Sequence, residues 1–307
     1  MQPPSTVSDP LESPSSERGA APTTSPLGVQ SFGLTDRGLV RKTNEDQFLI
    51  ATLTKAIRIQ QSSLLVPTTR RGDEEGHIFV VADGFGGAPG GEQASAIAIE
   101  SIEDFLANTL KWFFRLKGAE KANVLAEFQD ALRRADASVF EQSAEHPELD
   151  GMGTTLTLAY SLGATLFVAH AGDSRCYLFR ASRLEQLTHD HTLAALLAER
   201  KSITSDETSR QRLSHIITNA VGGRSPGVRA EIHKRELRPG DVVLLATDGL
   251  TRHLSDQQIA ETLAADSDPK TACERLVALT IDAGGRDNVT VVVARYEPVA
   301  TTATRTF

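Results

Sequence analysis

The 307 residues carry 40% hydrophobic and 23% charged side chains, enough for one large domain or two small ones with a substantial core. Forty acidic against thirty-two basic residues leave a net charge of −8, which argues against a nonspecific nucleic-acid binder and suits a protein that gathers cations. The two cysteines, Cys176 and Cys273, exclude a disulfide framework and fit a cytoplasmic setting.

Residues 1–28 are rich in Pro, Ser and Thr without periodic apolar positions, so a disordered tail is expected there. The first residues lack a basic stretch and an apolar core, so they do not read as a signal peptide. From Phe32 the pattern changes. FGLTDRG and QFLIATL read as strands around the loop RKTNED, and IRIQQSSLLV as a further strand. TTRRGDEEGH reads as a loop leading into the buried strand IFVVA. Two helices follow. One sets Ile97, Ile99, Ile102, Phe105, Leu106 and Leu110 at helical spacing; the other, over 119–143, sets Val124, Leu125, Phe128, Leu132 and Val139 along one face.

Residues 151–172 hold no Asp, Glu, Lys or Arg and are long enough to span a bilayer. Their threonines, His170 and the Ser161-Leu162-Gly163 turn favour two β-branched strands instead. RCYLFR and RLEQLT continue as strands, and 191–222 reads as an excursion of short helices. Its polar 200–215 stretch is expected to form a mobile flap. DVVLLATDG is a strand, DQQIAETLAA and PKTACERLVALTIDA are helices, and NVTVVVARY is a closing strand. This order gives an α+β chain with antiparallel sheets covered by helix pairs. A domain over 29–298 is expected, followed by a flexible tail over 299–307.

Acidic residues recur where strands leave the core. Asp83 follows IFVVA and precedes a glycine-rich run; Asp248 follows VVLLAT; Asp287 precedes the last strand; Glu45 and Asp46 open another. Any one alone reads as a cap or turn residue. Strand ends are rigid supports, however, and converging carboxylates repel one another unless a cation joins them. Mg²⁺ or Mn²⁺ favours carboxylate, carbonyl and water oxygens. Glycines beside Asp83 would let the Gly84 carbonyl approach such an ion.

RKTNED, ADGFGG, GMGTT, GDSR, ATDGL and GGRDNVT, in that order, resemble the motif series of the type 2C metal-dependent protein phosphatases in their bacterial form, over about Gly33 to Tyr296. The resemblance implies a four-layer αββα sandwich, two antiparallel sheets flanked by helix pairs, with two Mn²⁺ or Mg²⁺ ions at one end and a third, weaker site. Asp83 would bridge the ions, Gly84 would offer its carbonyl, and Asp248 and Asp287 would be direct ligands. Asp46 and Glu45 would act partly through water, and Arg41 would hold the substrate phosphate. Asp150 and Asp190 would serve the third site. Asp173, Arg175 and Asn288 would brace the fold. Animal members carry a histidine two residues after the bridging aspartate; here Phe85 stands there, so that general acid is missing.

The implied activity is hydrolysis of phosphoserine and phosphothreonine in proteins, opposing a serine/threonine kinase, by a monomer that binds neither nucleic acid nor membrane. Two cations can acidify a water and clamp the phosphoryl oxygens, and Arg41 adds a planar donor fork. Rival chemistries lack their signatures. Neither cysteine is followed by an arginine six positions on, GDxHG and GNHE are absent, and so is a phosphate-binding GxxxxGK[ST] loop.

Overall fold

The computed structural model describes residues 27–58, 60–61, 69–87, 89–109, 121–200 and 212–299. The first two strands, β1 (Leu27–Asp36) and β2 (Asp46–Arg58), are followed by the long β3 (Thr69–Phe85). Helices α1 (Gly90–Thr109) and α2 (Lys121–Glu145) come next, with one 3₁₀ turn over Pro147–Leu149. Five strands follow: β4 (Gly153–Thr154), β5 (Leu156–Leu162), β6 (Thr165–Ala171), β7 (Arg175–Arg180) and β8 (Arg183–Gln186). After α3 (Leu193–Glu199) come β9 (Val221–Gly222), β10 (Glu231–Glu236) and β11 (Val242–Ala246). The chain ends in α4 (Asp248–Thr251), α5 (Asp256–Ala265), α6 (Pro269–Asp282) and β12 (Val289–Pro298).

Two antiparallel sheets result. One has the order β1-β12-β11-β7-β8; the other runs β10-β6-β5-β3-β4-β9, with β2 paired to β3. The period-two alternation of a strand explains the layering. In β3, Phe79 and Val81 turn toward the other sheet and pack with Val168, Cys176, Val243, Leu245 and Val292. Their neighbours Ile78 and Val80 turn the other way, onto Ala94, Ala98, Ile102, Phe128 and Leu132 of α1 and α2. The first sheet repeats the arrangement: Leu244, Val291 and Val293 face Ile259, Leu263, Ala272 and Leu276 of α5 and α6. Three apolar layers between four structural ones make the expected αββα sandwich.

Several local readings differ. Residues 69–77, read as a loop, are the first half of β3, because β2 runs on to Arg58 and pairs with them through Arg58↔Thr69, with a bulge between Thr54 and Ala56. Backbone pairing to an extended partner decides this, whatever the charge of the segment. β10 escaped the sequence reading: an edge strand on β6, half-buried at most, it carries charged residues that hide its periodicity. The charge-free stretch is a hairpin, with Gly163 at φ 56° in its turn. Among the described residues, no helix is long and apolar enough to cross a membrane. β1 already includes Leu27 and Gly28. The expected flap lies mostly in 201–211, the tails in 1–26 and 300–307, and Leu110 in 110–120, all outside the described residues.

Strand register fixes where the acidic residues meet. Asp46 is directly opposite Asp83 on β2 and β3. Across the first sheet, Arg175, Ala246 and Val291 share one row. Asp173, Asp248 and Asp287 therefore leave their strands at the same edge of the sandwich.

Candidate metal centre

At that edge one carboxylate oxygen from each of Asp83, Asp173 and Asp248 lies within 4.8 Å of the others. Asp173 and Asp248 are buried, while Asp83 stays partly accessible, so the cluster opens to solvent on one side. Asp46 sits beneath it, 2% exposed; its Oδ2 accepts from Thr247 Oγ1 at 2.8 Å and Thr290 Oγ1 at 2.7 Å. Its Oδ1 has no partner, and neither has Oδ1 of Asp173. Buried carboxylate oxygens without a donor are costly, and a cation is what would satisfy them.

Burial, more than any neighbour, pushes the Asp83, Asp248 and Asp46 carboxyls up, Asp46 to about 7. Like charges add to it: Asp248, Asp46, Asp173 and Asp287 all act on Asp83. A hard divalent ion would reverse this by rewarding the ionised form. The donor set, all oxygen, fits Mg²⁺ or Mn²⁺.

Two arginines supply positive charge at the rim. Arg41 grips Asp287 with both arms of its fork, Nε to Oδ1 at 2.7 Å and Nη2 to Oδ2 at 2.8 Å, while remaining half exposed. Arg252, which sequence reasoning missed, is paired with Asp248 and reaches Asp287 Oδ2 at 3.3 Å and Asp173 Oδ2 at 3.7 Å. It stands one helical turn after Asp248, a spacing that could have flagged it. Glu45 lies alongside, its carboxyl raised by burial and lowered in part by Arg41.

The loop bearing Arg41 and Glu45 is held by Asn288, as expected of a brace. Asn288 accepts from the Glu45 amide at 2.9 Å and donates to the carbonyls of Arg37 and Thr43 at 2.8 and 2.9 Å. Gly84 is required by crowding. A Cβ there would lie 2.0 Å from the Gly91 carbonyl oxygen and 2.9 Å from that of Glu45. Gly84→Ala should therefore cost about 3 kcal/mol or more in urea unfolding. Gly87, at φ 79° with nothing near its missing Cβ, should lose only about 1 kcal/mol on the same change.

The remaining expected residues divide. Asp150 is exposed at the end of the 3₁₀ turn, beside Gly151. Asp190 is taken by Arg175, through Nε at 2.8 Å and Nη2 at 2.6 Å, and by Gln186 at 3.1 Å. Both Asp190 oxygens are thus engaged by Arg175, as both Asp287 oxygens are by Arg41. Arg175 is the brace it was read to be, but Asp173 is not: its carboxylate belongs to the acidic cluster. The signal was present in TLFVAHAGD, an apolar strand running out into an aspartate as VVLLATD does before Gly249.

A groove of about 660 Å³ runs past Phe85, lined also by His215, Asn219, Gly223, Arg224 and Arg229. His253 is engaged at both ring nitrogens: its Nδ1 meets the Gly249 carbonyl at 2.8 Å and its Nε2 accepts from the Arg286 amide at 3.3 Å.

A family model described as protein phosphatase 2C matches residues 68–278. The serine/threonine protein phosphatase PstP of Mycobacterium tuberculosis is 34% identical over 260 residues, 84% of this chain; the chain spans 43% of the length of that relative. Protein phosphatase PhpP of Streptococcus pneumoniae is 29% identical, over 70% of this chain and 84% of its own. The crystal structure of M. tuberculosis PstP superposes with a TM-score of 0.69 at 32% identity, covering 88% of this chain and 99% of that one. A structure of the PstP catalytic domain in complex with two manganese ions gives 0.68, also at 32% identity, over 88% of this chain and 99% of that one.

Proposed function

Because the chain belongs to the protein phosphatase 2C family, we propose that it is a metal-dependent serine/threonine protein phosphatase. In this reading 29–298 form the catalytic domain, flanked by tails, and phosphorylated proteins in the cytoplasm are the substrates, opposing a serine/threonine kinase. One observation carries the proposal: Asp83, Asp173 and Asp248 converge at a solvent-open edge above Asp46, with two buried oxygens lacking any donor.

Asp83, Asp248 and Asp287 would hold two Mn²⁺ or Mg²⁺ ions, with the Gly84 carbonyl and Asp46 in support. Asp173, in place of Asp190, would share a third with Asp150. When bound, these ions supply the charge that acidifies an attacking water and draws electrons from the phosphoryl group. The protein's own part is positioning. Arg41 turns a half-exposed guanidinium to solvent at the rim, anchored through Asp287, where it can take two phosphate oxygens. Glu45 stands beside it with a carboxyl raised by burial, placed to exchange a proton at the rim. Phe85 offers no proton, so none is donated from that position.

The groove beside Phe85 has the volume to take residues flanking the phosphoresidue, and Arg224 and Arg229 give it a basic wall. The test is release of inorganic phosphate from a phosphothreonine peptide with Mn²⁺ and with excess chelator. Release only with Mn²⁺ is expected, and Arg41→Ala should raise KM for the peptide about tenfold or more. Turnover that survives chelation, or no release in either condition, would overturn the reading.

A further inference from the structure

Four of the chain's eight histidines gather around one carboxylate, that of Glu231, in a group that shares no residue with the acidic cluster. β10 pairs with β6 so that Glu231 is opposite His170, and His233, two residues on, shares a face with Glu231. Glu231 Oε1 lies 2.8 Å from His189 Nδ1 and is also met by His233 Nε2. Its other oxygen, Oε2, lies 3.0 Å from His191 Nε2. The rings of His189 and His233 are 6.0 Å apart.

The five residues have two different roles. His191 Nδ1 accepts from the Gly172 amide at 3.2 Å and from Asn219 at 3.0 Å, so its Nε2 carries the proton and donates to Glu231. His170 is buried, with Nδ1 on Thr157 Oγ1 at 2.9 Å and Nε2 on the His189 carbonyl at 3.1 Å, and it backs His191. Both are committed on both nitrogens. They aim the carboxylate and the His189 backbone, as outer partners of a metal site do. His189 Nδ1, His233 Nε2 and Glu231 Oε1 are then the convergent donors. The His189 side chain is 73% exposed, which leaves an entry path and room for water ligands.

We propose that His189, His233 and Glu231 form a second metal site for a borderline divalent cation of the Zn²⁺ type. Two imidazoles and one carboxylate suit Zn²⁺ or Co²⁺ and do not suit Mg²⁺, which seeks oxygen alone. The site is chemically distinct from the acidic cluster and independent of whether the chain turns over phosphate. Bound metal would tie the segment before α3 to the edge strand β10. Through His191 and the Gly172 amide it also stands beside Asp173, so it would stiffen one wall of the acidic cluster.

The test uses the full chain in millimolar Mg²⁺, added to compete for the carboxylates, titrated with Zn²⁺ by calorimetry and with Co²⁺ by visible absorption. The wild type should take up one further equivalent of Zn²⁺ and show Co²⁺ bands of nitrogen ligation. His189→Ala and the double change His189→Ala/His233→Ala should abolish both. His191→Gln, which leaves all three donors in place, should weaken Zn²⁺ binding about tenfold or more. His189 is exposed enough that its removal leaves the core intact, so that variant remains informative if the double change fails to fold. Unchanged Zn²⁺ uptake in His189→Ala, or none by the wild type over Mg²⁺, overturns the site.

Discussion

Asp83→Ala should lower Mn²⁺-dependent phosphate release by about 10³-fold, ~4 kcal/mol of transition-state stabilisation, while raising the melting temperature of the ion-free chain. The two directions have one cause. Asp83 shares its edge of the sandwich with Asp46, Asp173, Asp248 and Asp287, all of which act on it as like charges in a buried setting. Removing it relieves that repulsion in the ion-free chain, and removes the group best placed to hold cations in the loaded one. Asp190→Ala is the contrasting control. It strips Arg175 of a two-armed partner in a part-buried position, which should cost about 2 kcal/mol of stability. Its activity should fall only as far as its folded fraction falls. Turnover assays beside thermal melts with and without Mn²⁺ separate the two. Full activity in Asp83→Ala, or a loss of ion-free stability to match Asp190→Ala, would remove Asp83 from the metal centre.

Asp83, Asp248 and Asp287 stood out as a set because each sits next to an apolar run: any one alone reads as a cap or turn residue, and their recurrence is what points to a cation. Asp173 has the same signature, yet the GDSR motif that holds it was read as a brace of the fold. In the fold Arg175 turns to Asp190, fifteen residues on, and the Asp173 carboxylate joins the acidic cluster. Such exchanges depend on strand register, which the sequence does not state. β10 was hidden for a related reason: an edge strand needs little apolar alternation, so EIHKRE has none. Missing it also hid the histidine cluster, since only the β6–β10 pairing brings Glu231 to His170. The layers themselves were easier, because Ile78 to Ala82 and Val291 to Ala294 are buried on both faces and read as continuous apolar runs.

The second large effect is on stability as pH changes. In the ion-free chain Asp46 holds its proton up to about pH 7, and Asp83 and Asp248 are raised well above 3.8, mainly by burial. The unfolded chain releases those protons near 3.8. Between those values the folded state binds more protons, so stability falls as pH rises. The contribution is complete below 3.8 and lost above about 7 for Asp46. His170 acts oppositely: buried and neutral, with its pKa lowered from 6.5 to about 4, it withdraws stability as pH falls through that range. Above pH 7 His170 no longer contributes, and His189, raised above 6.5 by its bond to Glu231, loses stability with rising pH in the same direction as the carboxylates. The ion-free chain should therefore melt about 5 °C lower at pH 8 than at pH 6.5, where each bound proton is worth up to ~1.4 kcal/mol per pH unit. Mn²⁺ competes with these protons, so it should raise the melting temperature more at pH 8 than at pH 6.5. Asp83→Asn should flatten both dependences. A flat ion-free profile, or a larger Mn²⁺ effect at the lower pH, would mean that the carboxylates are neutralised by Arg41 and Arg252 alone, and that the cluster is a network of ion pairs and not a cation site.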